Sequence, residues 1–147
     1  MFLLDITEAS WTTRLCNIDL LSLMQVFAVL FLAILFLQSG LDKVFDWKGN
    51  LEWLKDHFAK SILEGMVPFL LCVVTLIELA AGIFSTIGVV NILFGNGDFI
   101  AFIGAVLSAI ALLMLFFGQR IAKDYAGAGG LVPYFILTLA TLYILAI

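Results

Sequence analysis

Four long stretches of the chain contain almost no charged residues. They cover residues 20–41, 65–97, 99–119 and 125–147, and one glutamate, Glu78, interrupts the second of them. Each stretch reaches the roughly 20 apolar residues that a helix needs to cross a bilayer. None alternates apolar and polar positions as membrane barrel strands do, and hydrocarbon leaves unpaired backbone groups without partners. The pattern therefore predicts an all-α integral membrane protein, a bundle of four transmembrane helices.

The boundaries of these helices follow from charges, glycines and prolines. A tail of residues 1–19 is expected to precede the bundle, and a mobile glycine-rich connection at 126–130 is expected to lead to Pro133, near the start of the last helix. The whole chain then forms a single membrane domain. Its spans are predicted at 20–41, 67–93, 99–119 and 131–147.

The segment between the first two spans, residues 46–66, has a different pattern. Its large apolar residues recur at spacings of three and four, while charged residues fill the other faces, so we expect an amphipathic helix lying in the membrane interface. Trp53 would help to anchor it, and His57 would be a solvated histidine on its polar side. A docking surface for a cytoplasmic partner is the alternative. The apolar row consists of Trp47, Leu51, Leu54, Phe58 and Ile62.

Composition supports the membrane class and excludes others. Hydrophobic residues make up 64% of the 147 residues, charged residues only 12%, and the mean hydropathy is +1.20, far from the values of soluble domains. The net charge is -4 and no basic cluster is present, which argues against nucleic acid as a partner. The lipid bilayer is therefore the first partner that the sequence implies.

Lysine and arginine are distributed unevenly between the two sides of the predicted bundle. Basic residues concentrate between the first and second spans and between the third and fourth, while Arg14 alone lies on the other side. Because basic loops stay in the cytoplasm, both termini are predicted to face outward. The basic residues of the inner loops are Lys43, Lys48, Lys55, Lys60, Arg120 and Lys123.

Few residues offer redox or metal chemistry. Cys16 and Cys72 are predicted at opposite ends of the membrane, too far apart for a disulfide, and no C-x-x-C motif is present. A single histidine cannot supply both axial ligands of a bis-histidine haem. We therefore expect no intrinsic cofactor and no metal site.

Glu78 is the most unusual residue of the sequence. A carboxylate within the hydrocarbon costs about 2.5 kcal/mol or more, so intramembrane acids usually have a partner and a function. Three- and four-residue steps place it on a face of small and polar residues, facing a similar row on the third span. Either this face only packs helices together around a protonated Glu78, or the acid is functional. The packing residues are Gly82, Ser85, Gly104 and Ser108, and the same stripe includes Cys72 and Thr75.

Two basic residues near the predicted cytoplasmic boundary are candidate partners of Glu78. They are Lys43 and Arg120, and either could reach the acid only if Glu78 lies at a shallow depth. Gln38 and Gln119 could line the same polar pocket. The sequence leaves the choice between Lys43 and Arg120 open.

The chain resembles the DoxX family of small four-helix membrane proteins of bacteria and archaea. The resemblance depends on Gly40-x-x-Lys43, Glu78-x-x-x-Gly82 and Gln119-Arg120, and covers residues 20–147. It implies a location in the bacterial inner membrane, with Lys43, Glu78 and Arg120 as the polar positions of the family.

Two functions are open. The first is a non-catalytic accessory subunit that packs against a larger membrane complex and stabilises it, which the small size and the faces of the first and fourth spans, rich in phenylalanine and leucine, favour. The second is a quinone-linked oxidoreductase subunit, because some DoxX members belong to a thiosulfate:quinone oxidoreductase. In that case the pocket near Glu78 would receive a quinone head group and Glu78 would carry a proton. We rank the accessory role slightly above the quinone role.

Overall fold

The computed structural model describes residues 19–147, and this part of the chain is helical without any strand. Each of the four long helices is long and apolar enough to cross a membrane, which confirms the predicted four-helix membrane bundle. Arg14 and Cys16 of the predicted tail lie outside the described residues. The helices are α1 (Leu20–Phe45), α2 (Trp47–His57), α3 (Val67–Leu93), α4 (Phe99–Ile121) and α5 (Tyr125–Ala146).

The last helix begins six residues earlier than the sequence suggests. Segment 126–130 was predicted as a mobile connection, and this prediction was wrong, because these residues form the first turns of α5. Asp124 caps the helix, since its Oδ1 accepts a hydrogen bond of 2.8 Å from the N–H of Gly127. Pro133 therefore lies inside α5 rather than at its start.

The amphipathic segment folds as a shorter helix than predicted. Only Trp47–His57 is α-helical; turns and a short 3₁₀ helix, Glu64–Met66, follow it, and no residue of α2 is fully buried. Asp46 separates α1 from α2, and its side chain accepts a hydrogen bond of 3.2 Å from the N–H of Gly49. The α2 helix thus covers one end of the bundle without entering its core.

The core of the bundle centres on α3. This helix packs along both α1 and α4, while α5 packs on α4 and more lightly on α1. At the end away from α2, Gln25 joins three parts of the chain, because its amide donates hydrogen bonds to Asp98 Oδ2 at 3.3 Å and to the carbonyl of Ile144 at 2.8 Å. The largest apolar side chains with almost no exposure are Val29, Leu32, Phe36 and Val67.

Candidate functional site

Two glycines allow α1 to approach α3 closely next to Glu78. A Cβ atom added to Gly40 would lie 2.7 Å from Leu79 Cδ2, and one added to Gly82 would lie 2.7 Å from the backbone nitrogen of Leu37. At Gly82 the obstacle is backbone, so a larger residue would push the helices apart, whereas at Gly40 the Leu79 side chain would have to move. The glycines of two sequence motifs therefore create the contact that places α1 next to Glu78.

At this contact, Glu78 forms an ion pair with Lys43. The Lys43 Nζ lies 2.8 Å from Oε2 of Glu78, and the Ser39 hydroxyl donates a hydrogen bond of 3.0 Å to Oε1. Lys43 also donates to the Ser39 Oγ at 2.8 Å and more weakly to its carbonyl at 3.3 Å. Because the directional hydrogen bonds of the ammonium go to Ser39, its contact with Oε2 is mainly electrostatic. Ser39, Lys43 and Glu78 form one connected polar network.

The burial of this network is uneven. The Glu78 side chain is 0% exposed, whereas that of Lys43 is 17% exposed. Oε1 accepts the hydrogen bond from Ser39, whereas Oε2 accepts no hydrogen bond and lies against the Lys43 ammonium. The network therefore compensates the charge of Glu78 inside the bundle and leaves part of Lys43 accessible.

The structure does not bring the other predicted polar residues to Glu78. Arg120 is exposed near the end of α4, and its guanidinium lies 4.6 Å from the centre of the Tyr125 ring. Gln38 is exposed on α1, although it is next to Ser39 in sequence, because adjacent helical residues point in different directions. Of the two candidate partners, Lys43 pairs with Glu78 and Arg120 does not.

The small-residue face of α3 contacts two helices rather than one. Gly82 faces Leu37 of α1, whereas Ser85 lies against Gly104 of α4, where an added Cβ would be 2.7 Å from the Ser85 backbone nitrogen. Residues three positions apart on a helix point about 60° away from each other, so Gly82 and Ser85 face different neighbours. Ser108 is buried, and its hydroxyl donates to the Gly104 carbonyl at 2.8 Å. Cys72 was predicted on the same face but is exposed.

A cavity of about 190 Å³ lies between α2 and the bundle, at the Lys43 end. Its walls are mostly apolar, with a few polar residues among them. Lys43, His57 and Gln119 supply the polar groups, while Glu78 does not line the cavity. The apolar wall includes Leu54, Val67, Leu71, Val74, Met114 and Leu115.

His57 is a residue of this cavity that the sequence prediction missed. The prediction of a solvated histidine was wrong, because its side chain is only 19% exposed and stacks on Trp53 with ring centres 4.6 Å apart. Its Nε2 lies 2.9 Å from Oε1 of Gln119. A sequence signal existed: His57 lies three residues after Leu54, on the margin of the apolar row.

The donor set of the cavity suits an uncharged or anionic polar group rather than a metal ion. Lys43 carries only donors, and Gln119 has an amide nitrogen that can donate. Within residues 19–147, no three histidine, cysteine, aspartate or glutamate side chains come together to hold a metal. For scale, an apolar cavity of about 150 Å³ binds benzene, so this one has room for a single substituted ring.

Comparisons with known proteins identify no relative of the chain. No protein-family model, no curated protein and no solved structure matches the chain. The resemblance to the DoxX family therefore stays a prediction, and the function has to be inferred from the geometry of the site.

Proposed function

We propose that this multi-pass membrane protein binds the head group of a membrane-dissolved quinone in the cavity beside Lys43, as a DoxX-like subunit of a quinone-linked oxidoreductase complex. The observation that carries the proposal is the cavity itself, which combines apolar walls with Lys43, His57 and Gln119. Ligand sites commonly have this composition, with a few polar groups that orient a largely apolar ligand.

A quinone head group fits both the size and the chemistry of the cavity. It is a single substituted ring, and its carbonyl oxygens accept hydrogen bonds from donors such as the Lys43 ammonium and the Gln119 amide. Quinone reduction needs two electrons and two protons. This chain would bind and orient the ring, a partner subunit that oxidises its own substrate would supply the electrons, and water that reaches the cavity would supply the protons.

Glu78 has a supporting role in this proposal. Its side chain is fully buried and does not line the cavity, so it is a positioning residue that holds the Lys43 ammonium. This replaces the earlier expectation that Glu78 itself carries a proton for the ligand.

The test is direct binding of a short-chain benzoquinone to the detergent-purified protein. Trp53 stacks on His57 of the cavity wall, so quenching of tryptophan fluorescence should report occupancy. We expect saturable quenching, weakened about tenfold in Lys43→Met because a hydrogen bond from a charged donor is lost. Lys48→Met removes an exposed lysine of α2 and should bind as the unaltered protein does. Absence of saturable quenching in the unaltered protein would refute the proposal.

A specific observation also favours the second candidate, a non-catalytic accessory subunit. Glu78 is completely enclosed and is held by Ser39 and Lys43 of the neighbouring helix, which suits a helix-packing role. The test is purification in mild detergent, followed by identification of co-purifying membrane subunits. A protein that purifies alone as a monomer would count against this role.

A further inference from the structure

The end of α2 holds the His57 ring against α4 and the start of α5. Its Nε2 lies 2.9 Å from Oε1 of Gln119 and 3.7 Å from Oδ2 of Asp124. The amide oxygen of Gln119 can only accept a hydrogen bond, and the negative charge of Asp124 also favours a proton on the nitrogen that faces it, so the proton of the neutral ring is best placed on Nε2. Gln119 and Asp124 thus select one tautomer of His57.

This tautomer determines what the other ring nitrogen can do. In the neutral ring with hydrogen on Nε2, Nδ1 is a hydrogen-bond acceptor; in the protonated ring, Nδ1 becomes a donor. Among residues 19–147, the hydrogen bonds of His57 involve Nε2 and leave Nδ1 without a protein partner. His57 also lines the cavity. His57 therefore has one ring nitrogen free to bond a ligand that reaches the ring from the cavity.

We propose that His57 contacts the ligand and that its protonation state determines whether the cavity prefers a reduced or an oxidised head group. The proposal rests on the proposed quinone site and deepens it. Neutral His57 accepts a hydrogen bond from a hydroxyl of a hydroquinone. Protonated His57 donates one to a carbonyl of the quinone. Lys43 donates a hydrogen bond to either form of the ligand, so only His57 can discriminate between the hydroquinone and the quinone.

Several charged groups lie around His57. Asp124 is the carboxylate within 4 Å of the ring among the described residues, at the junction of α4 and α5. On α1, Lys43 is paired with Glu78 of α3, and on α4, Arg120 lies over Tyr125. Lys55 and Asp56 of α2 are exposed. Histidine is also the side chain that ordinarily changes charge between about pH 5 and 8.

The experiment measures binding of a short-chain benzoquinone and of its hydroquinone at about pH 5.5 and about pH 8, which span the usual titration of histidine. The ratio of the two Kd values should change about fivefold or more between these conditions, the equivalent of one hydrogen bond. His57→Gln still forms hydrogen bonds but does not titrate, so its ratio should be independent of pH. Asp56→Asn removes the adjacent exposed charge and should keep the pH dependence.

A second variant tests the role of Asp124 without disturbing the fold. Asp124→Asn retains a good helix cap but removes the negative charge next to His57. The protonated ring then loses stabilisation, so the midpoint of the pH dependence should move to lower pH. This variant also keeps the test valid if His57→Gln does not fold.

The outcomes separate the two proposals. If the unaltered protein binds neither form, both proposals fail. If it binds both forms with a ratio that is independent of pH, or if His57→Gln keeps the original pH dependence, only the role of His57 is overturned. An unchanged midpoint in Asp124→Asn would equally contradict the orientation of His57 by Asp124.

Discussion

At the scale of single residues, Glu78 is enclosed in the middle of α3, and two residues from one turn of α1 reach it. Ser39 contacts one carboxylate oxygen and Lys43 the other, and these two residues also bond to each other. Removing one partner of a buried ion pair lowers the stability of the fold more than removing both, because it leaves a buried charge without compensation. The pair should therefore respond to mutation as a unit.

We expect Lys43→Met to destabilise the protein by about 3 kcal/mol, the lower end for a broken buried pair, since Lys43 is partly exposed. The double variant Lys43→Met with Glu78→Gln should recover most of that loss, because the remaining amide is neutral. Thermal unfolding in detergent would measure both. Equal stability of the single and double variants would mean that the two charges are not coupled.

At the scale of helices, the bundle depends on close crossings that only the smallest residues permit. Gly40 and Gly82 mark the crossing of α1 with α3, and Gly88 marks that of α3 with α4. A Cβ at Gly88 would lie 2.5 Å from the Cα of Ala101, which is backbone and cannot move aside like a side chain. This distance is shorter than the 2.7 Å between an added Cβ at Gly82 and the Leu37 backbone nitrogen, so the α3–α4 crossing is the one least able to accept a larger residue.

Gly88→Ala should accordingly destabilise the bundle by about 1 to 3 kcal/mol, the usual cost of overpacking. Gly129→Ala is the matched control, because Gly129 lies within α5 and an added Cβ would contact nothing within 4 Å. Alanine favours helix over glycine, so this control should be neutral or slightly stabilising. A Gly88→Ala protein that unfolds at the same temperature as Gly129→Ala would contradict this description of the crossing.

At the scale of the whole molecule, the four membrane-crossing helices do not by themselves indicate which end of the bundle faces the cytoplasm. The charges of the connecting loops do. The basic residues predict that the α1–α3 and α4–α5 connections face the cytoplasm. The cavity, Lys43 and His57 all lie at this end of the bundle, so the same orientation would place the proposed site on the cytoplasmic side.

Reporter fusions test this orientation. A fusion after Lys123 should be cytoplasmic, and one after Asn96, in the turn between α3 and α4, should be external. Enzymatic reporters that are active on only one side of the membrane would distinguish the two. An external reporter at Lys123 would reverse the orientation and move the proposed site to the other side.

The sequence alone determined the membrane class, the number of spans and the presence of an acid, Glu78, within one of them. Long apolar windows can satisfy their backbone only as helices, and a buried charge is costly wherever it lies, so these conclusions need no tertiary information. The beginning of α3 at Val67 and of α4 at Phe99 also followed from the pattern. The beginning of α5 could not be predicted from the pattern. Its glycines favoured a flexible connection, but Asp124 caps a helix that already contains them.

Only the tertiary structure decided which residues meet. It selected Lys43 rather than Arg120 for Glu78, turned Gly82 toward α1, and brought His57 from a surface helix into a cavity wall beside Gln119. Periodicity gives the face on which a residue lies within its own helix, but the rotation and crossing of helices depend on packing between distant segments. That is why the intramembrane acid Glu78 could be recognised from the sequence, whereas its partner Lys43 and the nearby cavity could not.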